Sequence, residues 1–188
     1  FSALDAIDGS DGTDTFNLNI LDDANAAPAS ATVTSIEILN TQSVGTTVLD
    51  TSAWTGLEQF NVLGSVDGVL ITAAEGTAVD VNLASAVVGE GAEAEANIDI
   101  DGGSSHTVTT AGNSVLSSGA TGAVSVSVSN DAEGEATDVT VLSAGGVTVD
   151  ANTNVGDGSI DIGAEATADD ITGAVVVTST ANAQVGED

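Results

Sequence analysis

Apolar and polar residues alternate along this chain in short runs. The clearest are Phe16-Asn17-Leu18-Asn19-Ile20, Ser35-Ile36-Glu37-Ile38, Phe60-Asn61-Val62-Leu63 and Val79-Asp80-Val81-Asn82-Leu83. Ile98-Asp99-Ile100, Val124-Ser125-Val126-Ser127-Val128, Val139-Thr140-Val141, Val147-Thr148-Val149 and Ile160-Asp161-Ile162 follow. A period of two places alternate side chains on opposite faces of an extended backbone, so each run predicts a strand with one buried face. The apolar members are mostly β-branched, which suits a pleated surface. Helical periodicity is scarce.

Between the runs stand turn formers: Gly45, Gly64-Ser65, Gly102-Gly103-Ser104-Ser105, Gly145-Gly146 and Gly156-Asp157-Gly158. A strand thus recurs about every ten residues, a spacing shared by sandwiches, barrels and solenoids. A pattern of apolar, Asn or Asp, apolar, then Gly or Ser returns at Ile38, Phe60 and Val81 and again near Ile100. That step of about twenty residues matches the coil of a β-helix. The expected fold is all-β, an elongated parallel β-solenoid, with an immunoglobulin-like β-sandwich as the alternative. Residues 1–188 read as one β repeat domain, interrupted by loops at 21–32 and 86–96. The start at Phe1, without Met or a signal-like segment, reads as a processed chain or a fragment.

Composition favours the solenoid. With three Phe, one Trp, no Tyr and no Met, the core must be built from Val, Ile, Leu and Ala. Stacked coils need only a thin core and small residues at the corners, whereas a sandwich usually buries an aromatic, a part Trp54 alone could play.

Charge changes the picture further. The chain has 29 Asp and Glu and no Lys or Arg, for a formal net charge of −29. A compact state then suffers self-repulsion, yet 41% of residues are hydrophobic, too many for a disordered acidic tail. Cations must therefore come from outside: calcium bound by carboxylates and carbonyls, or concentrated salt that screens without fixed sites. The missing Lys and Arg argue against nucleic acid, whose phosphates need basic partners, and against anionic membrane surfaces. No apolar run approaches the ~18 residues that span a bilayer. The absence of cysteine removes disulfides and thiolate sites.

The strongest local motif is Gly9-Ser10-Asp11-Gly12-Thr13-Asp14-Thr15-Phe16-Asn17, which follows the calcium-binding nonapeptide G-G-x-G-x-D-x-U-x with Ser10 at the second glycine. In such a turn Asp14 is the metal ligand, Asp8 and Asp11 are auxiliary ligands and Phe16 points inward; a hydrated Asp-Gly turn is the other reading. Asp99 with Asp101, and Asp157 with Asp161, place carboxylates at alternate positions on one strand face. These two groups are further metal candidates, or ordinary solvent-facing residues.

Nothing favours an enzyme. His106 is the only imidazole, and no G-x-S-x-G elbow accompanies it. Paired carboxylates could cleave sugars, but one Trp and no Tyr make poor platforms for a sugar ring. A lyase would want a basic residue to abstract or balance a proton. Thr107-Val108-Thr109 and Thr13-Asp14-Thr15 resemble the T-x-T rows of ice-binding solenoids, without a regular repeat.

The ordered trio DGTDTFNLNI at 11–20, VTSIEILN at 33–40 and DTSAWTGLEQFNV at 50–62 resembles the β-strand repeats of bacterial surface-layer proteins and large type I-secreted, RTX-like adhesins. The resemblance covers mainly residues 9–85. It implies export of a Cys-free chain unfolded, folding on extracellular calcium, and assembly into a sheet or fibre; it again points to Asp14 and Asp11. The expected function is a secreted, cell-surface building block of a surface layer, filament or biofilm matrix. Copies of itself are the expected partners, with surface polysaccharide as a further one. The alternative is an adhesin module that binds a glycan, a host or an ice surface.

Overall fold

The computed structural model describes residues 5–21, 31–65, 68–83, 98–111, 114–130, 138–142, 144–153, 159–163 and 171–181. Within them lie sixteen strands. The first eight are β1 (Ala6–Asp8), β2 (Thr15–Ile20), β3 (Thr32–Thr34), β4 (Ile38–Ser43), β5 (Thr47–Asp50), β6 (Gln59–Gly64), β7 (Val69–Ala73) and β8 (Ala78–Leu83). The others are β9 (Ile98–Gly102), β10 (Ser105–Ala111), β11 (Val115–Ser118), β12 (Ala123–Asn130), β13 (Val139–Val141), β14 (Gly146–Thr153), β15 (Ile160–Ile162) and β16 (Val175–Ala181).

Even-numbered strands from β2 to β16 form an eight-stranded sheet in strict order, and odd-numbered strands from β5 to β15 form a six-stranded sheet. Every pairing between these strands is parallel. The chain therefore passes from one sheet to the other and back, adding one strand to each per coil. This is the expected β-solenoid; among the described residues the antiparallel pairing of an immunoglobulin-like sandwich is not found. β1 and β3 form a small parallel pair that Thr34 extends to Thr55 by an isolated bridge, a third wall at the N-terminal end.

Alternation decides what goes inside. Along β6, Phe60 and Val62 are fully buried while Gln59, Asn61 and Leu63 face outward. Stacking in register turns this into continuous inner rows: Leu39, Phe60 and Val79 on successive strands, and Ile71 and Ile100 on the opposite sheet. The two inner surfaces join in one apolar cluster from Val33 to Ala151, made chiefly of Val, Ile and Leu. Trp54 belongs to it and lies against Phe16, with ring centroids 6.4 Å apart. A core one coil thick explains how so few aromatics suffice.

The corners are built from small hydroxyl residues and glycine. The Thr77 hydroxyl donates to the Leu57 carbonyl at 2.9 Å, and the Ser104 N–H donates to the Thr77 carbonyl at 2.8 Å, linking three coils. At the opposite corner the buried Ser65 hydroxyl sits 2.8 Å from the Gly45 carbonyl and 2.6 Å from that of Gly68, and accepts from the Thr47 N–H. Gly102 turns with φ of 79°, and a Cβ there would collide with the Ala73 carbonyl of the coil below. Only glycine satisfies both demands.

Two expectations from the sequence are corrected. The run Ser35–Ile38 is not a strand: β3 ends at Thr34, Ser35 turns the corner with φ of 54°, and β4 starts at Ile38. The Ser35 N–H is held by the Thr55 carbonyl of the next coil at 3.0 Å, so the corner wins over the alternation. Nor are Ile38, Phe60, Val81 and Ile100 equivalent. Ile38 pairs with Gln59 on the outer face, Phe60 with Leu39, Val81 with Val62, and Ile100 lies in the other sheet. Both halves of a coil carry the same alternation, so a half-coil mimics the repeat. The true coil varies from the step Ile98 to Val115 to the step Val69 to Ile98, because connections differ in length. Of the expected loops, 86–96 and most of 21–32 lie outside the described residues; Leu21 and Ala31 flank the latter, and Thr32 already belongs to β3.

Candidate cation-binding turns

The nonapeptide forms the corner between β1 and β2. Its first glycine is pressed against the next coil: the Gly9 N–H donates to the Thr34 carbonyl at 3.1 Å, and a Cβ on Gly9 would strike the Ser35 carbonyl. Ser10 takes the left-handed conformation, with φ of 67°, that the motif normally gives to glycine. The Asp8 Oδ1 accepts its N–H at 2.9 Å, so Asp8 closes the turn. Asp11 is exposed.

Asp14 is the member that the fold sets apart. Its N–H donates to the Glu37 Oε2 one coil on, at 2.7 Å, while its own Oδ2 is sealed from solvent with no hydrogen-bond partner. A desolvated carboxylate oxygen is costly unless a proton, a donor or a cation meets it. Phe16 follows on β2 and turns inward onto Trp54, as the motif requires. Glu37 was missed in the sequence. The signal was the coil step itself, since Glu37 lies 23 residues from Asp14, the same step that brings Asn40 to Asn17.

The second group lies on the outer face of the six-stranded sheet. Asp99 stands between Leu70 and Leu116 on the flanking strands. Burial raises its pKa above the usual carboxylate range, and the neighbouring Asp101 adds to the shift. Asp101 accepts the Ser118 hydroxyl at 2.9 Å. Asp157 lies outside the described residues; Asp161 is exposed on β15, in the row of Thr140 and three strands from Asp99. The three candidate groups are therefore separate. Among the described residues, no three His, Asp or Glu side chains converge on a common point.

Two other carboxylates serve structure. Asp138 accepts the Ser159 N–H at 2.8 Å and its hydroxyl at 2.9 Å, across one coil. Asp50 is held below the usual carboxylate range by the Ser52 hydroxyl and N–H.

His106 is a cross-sheet strut. It is 1% exposed, in the inner row between Val79 and Val124. Nδ1 lies 2.7 Å from the Ser117 Oγ of the facing sheet and Nε2 lies 2.5 Å from the Gly102 carbonyl. The carbonyl can only accept, so Nε2 carries the proton and Nδ1 accepts from the serine. Burial lowers the imidazole pKa, against smaller opposing effects from Gly102 and Asp101. Ser117 is 0% exposed, so no substrate reaches this serine–histidine pair.

No described helix is long and apolar enough to cross a membrane. No family model, curated protein or solved structure matches this chain.

Proposed function

We propose that this chain is an extracellular structural building block, of a surface layer, filament or biofilm matrix, whose copies join with calcium between their acidic turns. The observation that carries the reading is the open parallel stack. Among the described residues, β2 and β16 each have a neighbour on one side only. Val175 and Val177 continue the inner rows of Val147 and Val149, yet they are 48% and 47% exposed. One further coil, of this chain or of a second copy, would bury them. Open parallel edges are templates for another chain, and a head-to-tail contact that repeats the coil step builds a fibre, not a closed ring.

Calcium enters through charge. Copies at −29 repel one another, and the turn Gly9–Asn17 offers the buried Asp14 Oδ2, on a residue whose N–H holds the Glu37 carboxylate, as a place for a divalent ion. The test is light scattering and electron microscopy of the purified chain in millimolar calcium and after chelation. Ordered assemblies that dissolve in chelator are expected. A chain that stays monomeric in calcium at high concentration overturns the reading.

A further inference from the structure

The two outer faces of the solenoid differ in charge. On the eight-stranded sheet the described strands present only Asp80 and Asp150 as carboxylates. The smaller six-stranded sheet presents Asp50, Asp99, Asp101 and Asp161. The neutral face is mostly amide and hydroxyl, with Ile38, Leu63 and Val176 as apolar members. Asn17, Asn40 and Asn61 form a ladder, the Asn40 and Asn61 side-chain amides each donating to the carboxamide oxygen of the coil before, at 2.9 and 2.8 Å. The same row continues through Asp80 to Thr107, Ser125 and Thr148, all exposed.

We infer that a second copy of this chain docks face to face on the outer surface of the eight-stranded sheet. The inference rests on the self-assembling reading above and adds a lateral, two-fold contact to the head-to-tail one at the strand edges. Three arguments select the occupant. In a chain without a single Lys or Arg, like charge opposes approach wherever carboxylates crowd, so copies meet most easily where carboxylates are fewest. Hydroxyls and carboxamides both donate and accept, so this face complements itself across a two-fold axis, whereas a carboxylate face, acceptor-only, does not. The area is also sufficient. Eight strands at ~4.8 Å spacing, with about six residues each at ~3.3 Å, make a plane of roughly 34 by 20 Å. Two such faces in contact remove about 1,300 Å² from water, within the range of specific interfaces.

The test compares the native chain with two double variants by sedimentation velocity in millimolar calcium, after circular dichroism shows all three folded. Ser125→Glu with Ser127→Glu charges the neutral face, and Leu70→Glu with Thr140→Glu charges the opposite one. Association weakened by about a hundredfold or more in the first variant, and as in the native chain for the second, is the expected result. A first variant that associates like the native chain overturns the docking face and leaves self-assembly standing. A native chain that is monomeric throughout overturns both. If that monomer is retained by an insoluble neutral glycan and the Ser125/Ser127 variant is not, the face belongs to a glycan and not to a second copy.

Discussion

Replacing His106 by Val tests how the two sheets are tied together, because Val79 and Val124, its neighbours in the inner row, already show that valine fits there. Two effects add. The Gly102 carbonyl and the Ser117 hydroxyl lose their partners, and each buried polar group left unpaired costs about 1–3 kcal/mol. The imidazole also makes stability depend on pH. Its pKa is lowered in the fold, so below the unfolded value of about 6.5 the unfolded chain binds a proton that the folded chain refuses. Stability is complete above about pH 7.5 and falls as the pH drops through 6.5 towards the folded pKa. Between the unfolded and the folded pKa the loss grows by at most about 1.4 kcal/mol per pH unit. No Cys, Tyr or Lys titration overlaps this window, because the chain has none. Urea denaturation at constant ionic strength between pH 8 and 5.5 measures it. The native chain should lose stability on acidification; the His106→Val variant should start lower and stay flat. A native chain with no slope, or a variant that keeps the slope, refutes the assignment of His106 as a buried neutral strut.

Phe60→Ala, which empties the largest fully buried side chain, should cost about 3–5 kcal/mol in urea denaturation. Gly102→Ala should cost about 2 kcal/mol or more from left-handed strain and its clash with Ala73, while Gly76→Ala, with nothing within 4 Å, should change the midpoint little. Asp99→Asn should raise stability by a few tenths of a kcal/mol at pH 7, because the folded pKa is raised and the charged form is the disfavoured one; the gain should vanish below about pH 4. Loss of stability in calcium instead would make Asp99 a ligand. Asp14→Asn should weaken the calcium dependence of melting, and identical curves with and without chelator for the native chain would remove the ion from the mechanism.

Residues with strong alternation were legible in the sequence. Phe16–Ile20, Val79–Leu83, Val124–Val128 and Val147–Val149 all lie in strands, because a period of two is a local property of the backbone. β7, Val69–Ala73, and β11, Val115–Ser118, were passed over. In β7 the outward Leu70 hides the period, and in β11 one of the two inward residues is the polar Ser117, which meets His106 across the core. The acidic residues were legible as types, and their neighbours were not. The Asp14 N–H meets the Glu37 carboxylate because parallel stacking joins residues one coil apart.

The sequence by itself determined that the chain is all-β, thin-cored and anionic, since alternation, small aliphatic residues and the absence of bases are properties of each segment or of simple counts. Tertiary structure alone decided the register. Where connections vary in length, only the fit of inner rows and corner hydrogen bonds sets which residues stack. That fit placed Ile100 opposite the sheet that carries Phe60, brought Glu37 to Asp14, and left one broad face whose described strands carry two of the 29 carboxylates.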